Sequence, residues 1–364
     1  MTKTAAAAVF AILTTAAGAP LAAQWLNQPT RGLPRTADGK PNLAAPAPRA
    51  ADGHPDLSGL WNKISPKYKG NIAADLKPSE IQPWAQKLVD QRAEDLQKDY
   101  MHELCLPLGP GYVTGADSTG AEMIKIVQTP SLIVILNPDL TYRQVFLDGR
   151  QLEKNPNPNW MGYSVGRWDG NTLVVESNGF NDKTWLDHDG HPHTEALRMT
   201  ERYTRRNLGN LDVEVTLSDP GAYARPWTLK VRAELAPDTE MIEFVCNEAN
   251  KNREHWIGKA SDETKNAVKV VPAILAAYAG TYLEQPRLWS PTGVARVVTI
   301  TVSGGTLYGD MDGRGNTPLL AKSETEFSGL YGLGVEFTRN GSAPASQLFV
   351  KHVSGNYRFT RQTK

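Results

Sequence analysis

Leu211-Asp-Val-Glu-Val-Thr-Leu217 sets Leu211, Val213, Val215 and Leu217 in strict alternation with Asp212, Glu214 and Thr216. Successive side chains of a strand leave on opposite faces, so this stretch reads as a strand with one face in a core and one in water, the signature of antiparallel sheet. Working outward, β-rich runs at 123–128, 131–136, 141–147, 162–168, 171–177, 195–205, 211–217, 226–235 and 241–246 are divided by turn residues. The dividers are Asn137-Pro-Asp, Asp148-Gly, Asp169-Gly-Asn, Asn207-Leu-Gly-Asn and Pro237-Asp. So many short strands with no helix between them imply a closed antiparallel barrel or a sandwich. A lipocalin-like barrel is the expectation, because a meander of this size leaves an interior able to hold one small ligand.

Before the strands, Ser79-Glu-Ile-Gln82 has the form of a capping box, and Ile81, Trp84, Ala85, Leu88, Val89, Arg92 and Leu96 follow helical spacing. The spacing predicts one amphipathic helix over 79–101, within a main domain of 58–260. After the polar stretch 260–266, β-like runs return at 297–302, 304–308, 318–320, 325–327, 335–337, 348–350 and 357–359. These predict a second, smaller β domain over 270–364. The chain is thus expected to be mainly β.

At the other end, Pro34-Arg-Thr-Ala-Asp-Gly-Lys-Pro-Asn-Leu43 is echoed by Pro48-Arg-Ala-Ala-Asp-Gly-His-Pro-Asp-Leu57. Dense Pro, Gly and Asp with little apolar surface predict an extended arm over 24–57. Residues 1–23 have a basic start, a short Ala-rich apolar run and small residues up to Ala23, the pattern of a secretory signal peptide. The expected location is therefore periplasmic or secreted. No later apolar run approaches the roughly 20 residues a span requires, so no membrane span is expected after cleavage.

The chain has 364 residues, with Lys+Arg and Asp+Glu balanced at 39 each. That balance gives no basis for attraction to nucleic acid or an anionic membrane, and points to a partner that is small or neutral. Cys105 and Cys246 are the only cysteines. In an oxidising compartment they are expected to pair; the alternative is a reactive Cys105.

Three histidines crowd into Trp185-Leu-Asp-His-Asp-Gly-His-Pro-His193, just before Leu197-Arg-Met-Thr-Glu-Arg-Tyr203. Strand parity puts Leu197, Met199, Glu201 and Tyr203 on the inner face, and His191 and His193 with them if the chain stays extended. An inward carboxylate is costly unless paired or used. One expectation makes His193 and Glu201 an acid–base pair, with Asp187 orienting the imidazole and Tyr163 or Arg167 steadying negative charge. The other makes Glu201 a buried partner of Arg143 or Arg167. A metal held by His188, His191 and His193 is a third possibility, although Gly190 and Pro192 argue for a turn and the spacing matches no established zinc signature. Trp160, Tyr163, Trp168, Phe180, Trp185, Tyr223 and Trp227 would suit a pocket for a hydrophobic, aromatic, polycyclic or sugar ligand, with Arg143 as a further contact.

Two resemblances follow from these motifs. Tyr278-Ala-Gly-Thr-Tyr282, Gly305-Thr-Leu-Tyr308, Ser323-Glu-Thr-Glu-Phe327 and His352-Val-Ser-Gly355 resemble the small lipocalin-like β domain appended to serine β-lactamase-like hydrolases. Pro55-Asp-Leu-Ser-Gly-Leu-Trp61, Cys105-Leu-Pro, Ser164-Val-Gly-Arg-Trp168, His191-Pro-His193, Glu201-Arg-Tyr203 and Asp219-Pro220 resemble a group of uncharacterised exported bacterial proteins. The Ser-x-x-Lys of the serine enzymes is absent, which argues against acyl-enzyme chemistry. No Gly-rich nucleotide fingerprint, P-loop or nucleophile elbow occurs, so no cofactor is expected. The residues lead to an exported lyase, isomerase or hydrolase acting on a small hydrophobic or aromatic molecule. The alternatives are a non-catalytic carrier of such a ligand, or an interaction module.

Overall fold

A computed structural model describes residues 29–362 except 65, 69, 115–122, 249–258, 286–294, 314, 331, 332, 353 and 354. The signal peptide expected over 1–23 lies outside the described residues. Two closed barrels follow one another along the chain. The first contains β1 (Gly59–Ile64), β2 (Met123–Gln128), β3 (Leu132–Leu136), β4 (Tyr142–Phe146), β5 (Tyr163–Asp169), β6 (Thr172–Asn178), β7 (Arg198–Arg205), β8 (Asn210–Ser218) and β9 (Trp227–Leu235).

Nine strands in sequential order cannot close with every neighbour antiparallel, because alternating directions clash at the seam. Here β9 meets β1 antiparallel, and the mismatch is absorbed by one parallel pair, β4 with β5, joined by the crossover 147–162. Register stacks the interior in layers: Met199 beside Leu217 and Trp227, then Glu201, Val215 and Leu229, then Tyr203, Val213 and Val231. Each fully buried Leu or Val contributes roughly 1.5–3 kcal/mol. A one-residue slip would turn the whole set outward, so the alternation fixes the register.

The ninth strand is not the one expected. Residues 241–246 form no strand: Phe244 N–H donates to Pro138 O, its ring stacks on His102 at 5.4 Å, and Cys246 begins a 3-10 turn. The place beside β9 belongs to β1, so that edge offers no unpaired backbone. Cys246 is joined to Cys105 in a disulfide across 141 residues of sequence.

The expected helix over 79–101 is also shorter. A 3-10 turn at Pro78–Glu80 precedes α1 (Pro83–Glu94), because Gln82 N–H donates to Ala222 O and Ala224 N–H to Glu80 O. Those bonds hold Ile81 and Gln82 extended. The helix stops where Leu96 and Gln97 turn to positive φ. A single short turn, α2 (Gly111–Thr114), follows and is wholly buried.

The segment expected as an extended arm folds back instead. Arg35 bridges to Pro41 and Arg49 to Pro55, and each Arg Nη1 donates to the carbonyl of Gly39 or Gly53, so the duplicated sequence makes two like loops. The first is anchored by Arg35 on Asp238 and by Gly209 N–H on Leu43 O; the second stacks His54 on Trp168 at 4.6 Å. Leu57 and Ala45 supply the buried apolar contact.

After α3 (Ala260–Lys265) and α4 (Pro272–Tyr278) comes the second barrel. Its strands are β10 (Gly280–Glu284), β11 (Val297–Ser303), β12 (Thr306–Met311), β13 (Thr317–Ala321), β14 (Glu326–Leu330), β15 (Leu333–Thr338), β16 (Gln347–His352) and β17 (Gly355–Arg361). With eight strands the meander closes antiparallel throughout, β17 pairing β10. Aromatic rings fill its centre, Tyr278 stacking on Phe337 at 4.2 Å with Phe327 edge-on to both. Among the described residues no helix is long and apolar enough to cross a membrane.

Candidate functional site

Inside the first barrel, β7 brings Glu201 inward at 0 % exposure and β4 brings in Arg143 at 3 %. Arg143 grips the carboxylate with both ends of its fork, Nη2 to Oε1 at 2.6 Å and Nη1 to Oε2 at 2.9 Å. Its Nε donates to Ser164 Oγ at 2.9 Å and Nη2 also to Ser177 Oγ at 2.6 Å, while Tyr203 O–H donates to Glu201 Oε2 at 2.6 Å. Burial alone would lower the guanidinium pKa. Glu201 outweighs that and holds the Arg143 pKa above its ordinary value. Burial, then the Glu201 charge, pushes the Tyr203 phenol well above its usual range, so Tyr203 remains a donor.

Above this cluster lies a cavity of roughly 430 Å³ of non-atom space, mouth included. Ile124, Ile135 and Val213 form apolar walls, and Lys63, Asn137, Arg143 and Tyr203 supply the polar atoms. Tyr112 and Val113 of α2, with Met161, also line it. The closed part is narrow, with room for little more than one or two solvent molecules. Asn137 is buried at the end of β3; its Nδ2 donates to Thr141 Oγ1 at 3.0 Å, and its Oδ1 has no partner among the described residues.

His193 and Glu201 do not form the expected acid–base pair. The His193 Nδ1–H is aimed at its neighbour's carbonyl, Thr194 O at 3.2 Å, which fixes the tautomer and leaves Nε2 to accept from Thr184 O–H at 2.6 Å. Burial lowers its pKa, so the ring stays neutral. Asp187 orients His191 rather than His193: Oδ2 meets His191 Nδ1 at 2.7 Å and accepts from Ile72 N–H at 2.8 Å, and Oδ1 accepts the Gly190 and His191 backbone N–H groups. Burial works against charge on both side chains. Their mutual attraction outweighs it, holding the His191 pKa above and the Asp187 pKa below its ordinary value.

The conspicuous histidine stretch is therefore a folded loop. Trp185 bridges to Pro192, Leu186 N–H donates to His191 O, and Tyr223 O–H donates to Pro192 O at 2.8 Å. Gly190 has φ +95°, and a Cβ there would meet the Arg92 stem at 2.9 Å; the Arg92 Nη1 donates to Gly190 O. His188 packs edge-on to Tyr100, so the three imidazoles have separate surroundings. Among the described residues no three His, Cys, Asp or Glu side chains are placed to share an ion.

Of the other expected contacts, Tyr163 and Arg167 lie on the outer face of β5. Tyr163 packs on Phe146 and Arg167 pairs with Glu176 at 2.7 Å, both away from the cavity. Parity decides this, because Ser164 on the same strand points inward to Arg143. Trp168 faces the core under His54, Trp185 sits beneath the Arg92 guanidinium at 4.2 Å, and Trp227 Nε1–H donates to Ile72 O. None of the three lines the cavity.

Lys63, Asn137, Tyr112, Ser164 and Ser177 were not anticipated. Parity along β5 and β6 is the signal for the two serines. For Lys63 it would have required reading Gly59-Leu-Trp-Asn-Lys-Ile64 as a strand, which an inward lysine disguises. Neither a protein-family model nor any curated protein matches the chain.

Proposed function

We propose that this chain is an exported, non-catalytic carrier whose first barrel holds one small, largely apolar molecule. The observation that carries the reading is the apolar-walled cavity ending on the Arg143–Glu201–Tyr203 cluster. Apolar walls with a few convergent polar groups are the usual make-up of a small-molecule site. Acid–base turnover is the weaker reading, since both Glu201 oxygens are engaged and His193 spends both ring nitrogens on Thr184 and Thr194. The disulfide is compatible with an oxidising compartment and so with export.

The narrow interior favours a slender ligand over a polycyclic or sugar one. Solvent extraction of natively purified full-length protein, followed by mass spectrometry, tests the reading. A small molecule should be recovered near one equivalent from the wild type and be depleted from Met161→Trp, whose larger side chain takes up part of the cavity. Equal recovery from both, or none from either, contradicts it.

A further inference from the structure

We propose that residues 100–114 form a lid over the cavity of the first barrel and that the Cys105–Cys246 disulfide latches it, so that reduction by a dithiol opens the cavity. This rests on the carrier reading and adds how its ligand site is opened. The closed part of the cavity admits little more than one or two solvent molecules, so a larger guest needs part of the lining to move. Most of that lining sits on strands paired on both sides in a closed sheet, where parting would break a whole ladder. Among the described residues, Tyr112, Val113, Asn137 and Met161 are the lining positions outside the strands.

Tyr112 and Val113 belong to a piece built as a unit. Tyr112 packs with Tyr100, Met101, Leu108 and Trp185 in a small apolar cluster separate from the barrel core, and Met161 rests against it. The piece lies directly on two stretches of backbone: a Cβ on Gly109 would meet Trp160 O at 2.8 Å, and one on Gly111 would lie 3.6 Å from Trp185 O. Trp185 N–H donates to Met101 Sδ at 3.2 Å, a weak acceptor. The chain enters the lid through Leu96 and Gln97, at φ 58° and 51°, and Cys105 within it stands at 54°. L side chains rarely occupy that region, and such strain persists only while the surroundings hold the backbone there, which suits these positions to act as hinges.

The covalent tie falls inside the piece. Cys246 closely follows Phe244, whose N–H donates to Pro138 O at 2.7 Å, so the bridge joins the lid to the β3–β4 turn beside Asn137 of the cavity. His102 of the lid stacks on Phe244 at 5.4 Å next to it. Both cysteines are half-buried rather than sealed in a core, which gives a reductant access to the bridge. A dithiol breaks the S–S bond by two exchanges: one of its sulfurs displaces the first cysteine thiolate and forms a mixed disulfide, and its other sulfur displaces the second. The dithiol leaves as the cyclic disulfide, and its two protons pass to Cys105 and Cys246.

Labelling of the full chain with iodoacetamide tests the latch. Val113→Cys puts a thiol on the lid at the cavity, and Val215→Cys puts one in the barrel interior beside Glu201. Each is made with the bridge intact and with Cys105→Ser and Cys246→Ser together. Without the bridge Val113→Cys should react about tenfold faster or more than with it, and to completion while Val215→Cys stays unlabelled. An unchanged Val113→Cys rate overturns the latch. Equal rates at the two positions in the bridge-free protein overturn the lid, because the barrel then opens as one body. If the serine pair does not fold, hydrogen exchange of the wild type with and without dithiothreitol takes its place: amides of 106–114 should lose protection ahead of those of 211–217, and loss in step, or none, overturns the proposal. None of these results depends on recovering an extracted ligand, so the carrier reading stands or falls apart from the lid.

Discussion

Removing Arg143 tests whether the barrel interior is as dry as its contacts require. Arg143→Met deletes two bonds to Glu201 and the donors to Ser164 and Ser177, leaving a carboxylate at 0 % exposure with only Tyr203 as donor. Breaking a buried pair on one side costs about 3–5 kcal/mol, and that range is the expected loss here. Part of the loss should be recovered on acidification, because an unpaired buried carboxyl has a raised pKa and its penalty grows as pH rises above the unfolded value near 4.3. Adding Glu201→Gln removes the charge yet keeps an acceptor for Tyr203. The double variant should therefore be more stable than Arg143→Met alone, with a coupling energy of about 2 kcal/mol or more. Urea unfolding followed by tryptophan fluorescence is a suitable assay, since Trp289 is the only tryptophan after residue 270 and the signal reports mainly the first barrel. Single losses below about 1 kcal/mol, or costs that simply add, would mean a hydrated pair and would refute the reasoning.

Three further outcomes are expected. Reducing the Cys105–Cys246 bridge frees 141 residues that span most of the first barrel, and should cost about 4–5 kcal/mol by the chain-entropy account; an unchanged denaturation midpoint with reductant would contradict this. Asp189, half-buried, has its pKa pushed up to about 7 by desolvation and then by Asp187. The folded state therefore binds a proton that the unfolded state has released, and stability should fall as pH rises from about 4 to 7, by about 1–2 kcal/mol after allowance for solvent screening. Asp189→Asn should flatten that slope, and a slope of equal size in the variant would assign it elsewhere. At Gly209 a Cβ would lie 2.5 Å from Leu43 Cβ, so Gly209→Ala should loosen the first N-terminal loop and speed proteolysis within 30–45; unchanged cleavage would show that the loop is not held there.

How much of this was legible in the sequence depended on whether a pattern was local. Leu211 to Leu217 alternates cleanly, and β8 lies where the alternation puts it. The inward place of Glu201 followed from the same parity, and Arg143 was already one of its two suggested partners. Lys63 and Asn137 were hidden because a polar residue at an inward position breaks the pattern used to recognise a strand. The histidine stretch misled in the opposite direction: its composition resembles a chemical site, while its Gly190 and Pro192 make a loop whose polar groups bind one another. Residues 241–246 look like a strand by composition, but whether a strand forms depends on a free edge, and β1, far away in sequence, occupies it. Closure of both barrels is likewise a property of distant pairings, β1 with β9 and β10 with β17, which no window of sequence contains.

The most direct test of the central claim is where a ligand goes. In methyl NMR spectra of full-length protein labelled at isoleucine, xenon dissolved under pressure should shift the Ile124 and Ile135 signals along saturable curves with one shared affinity, leaving Ile274 and Ile300 of the second domain in place. Shifts confined to the second domain, or scattered over both without saturation, would contradict a ligand site in the first barrel.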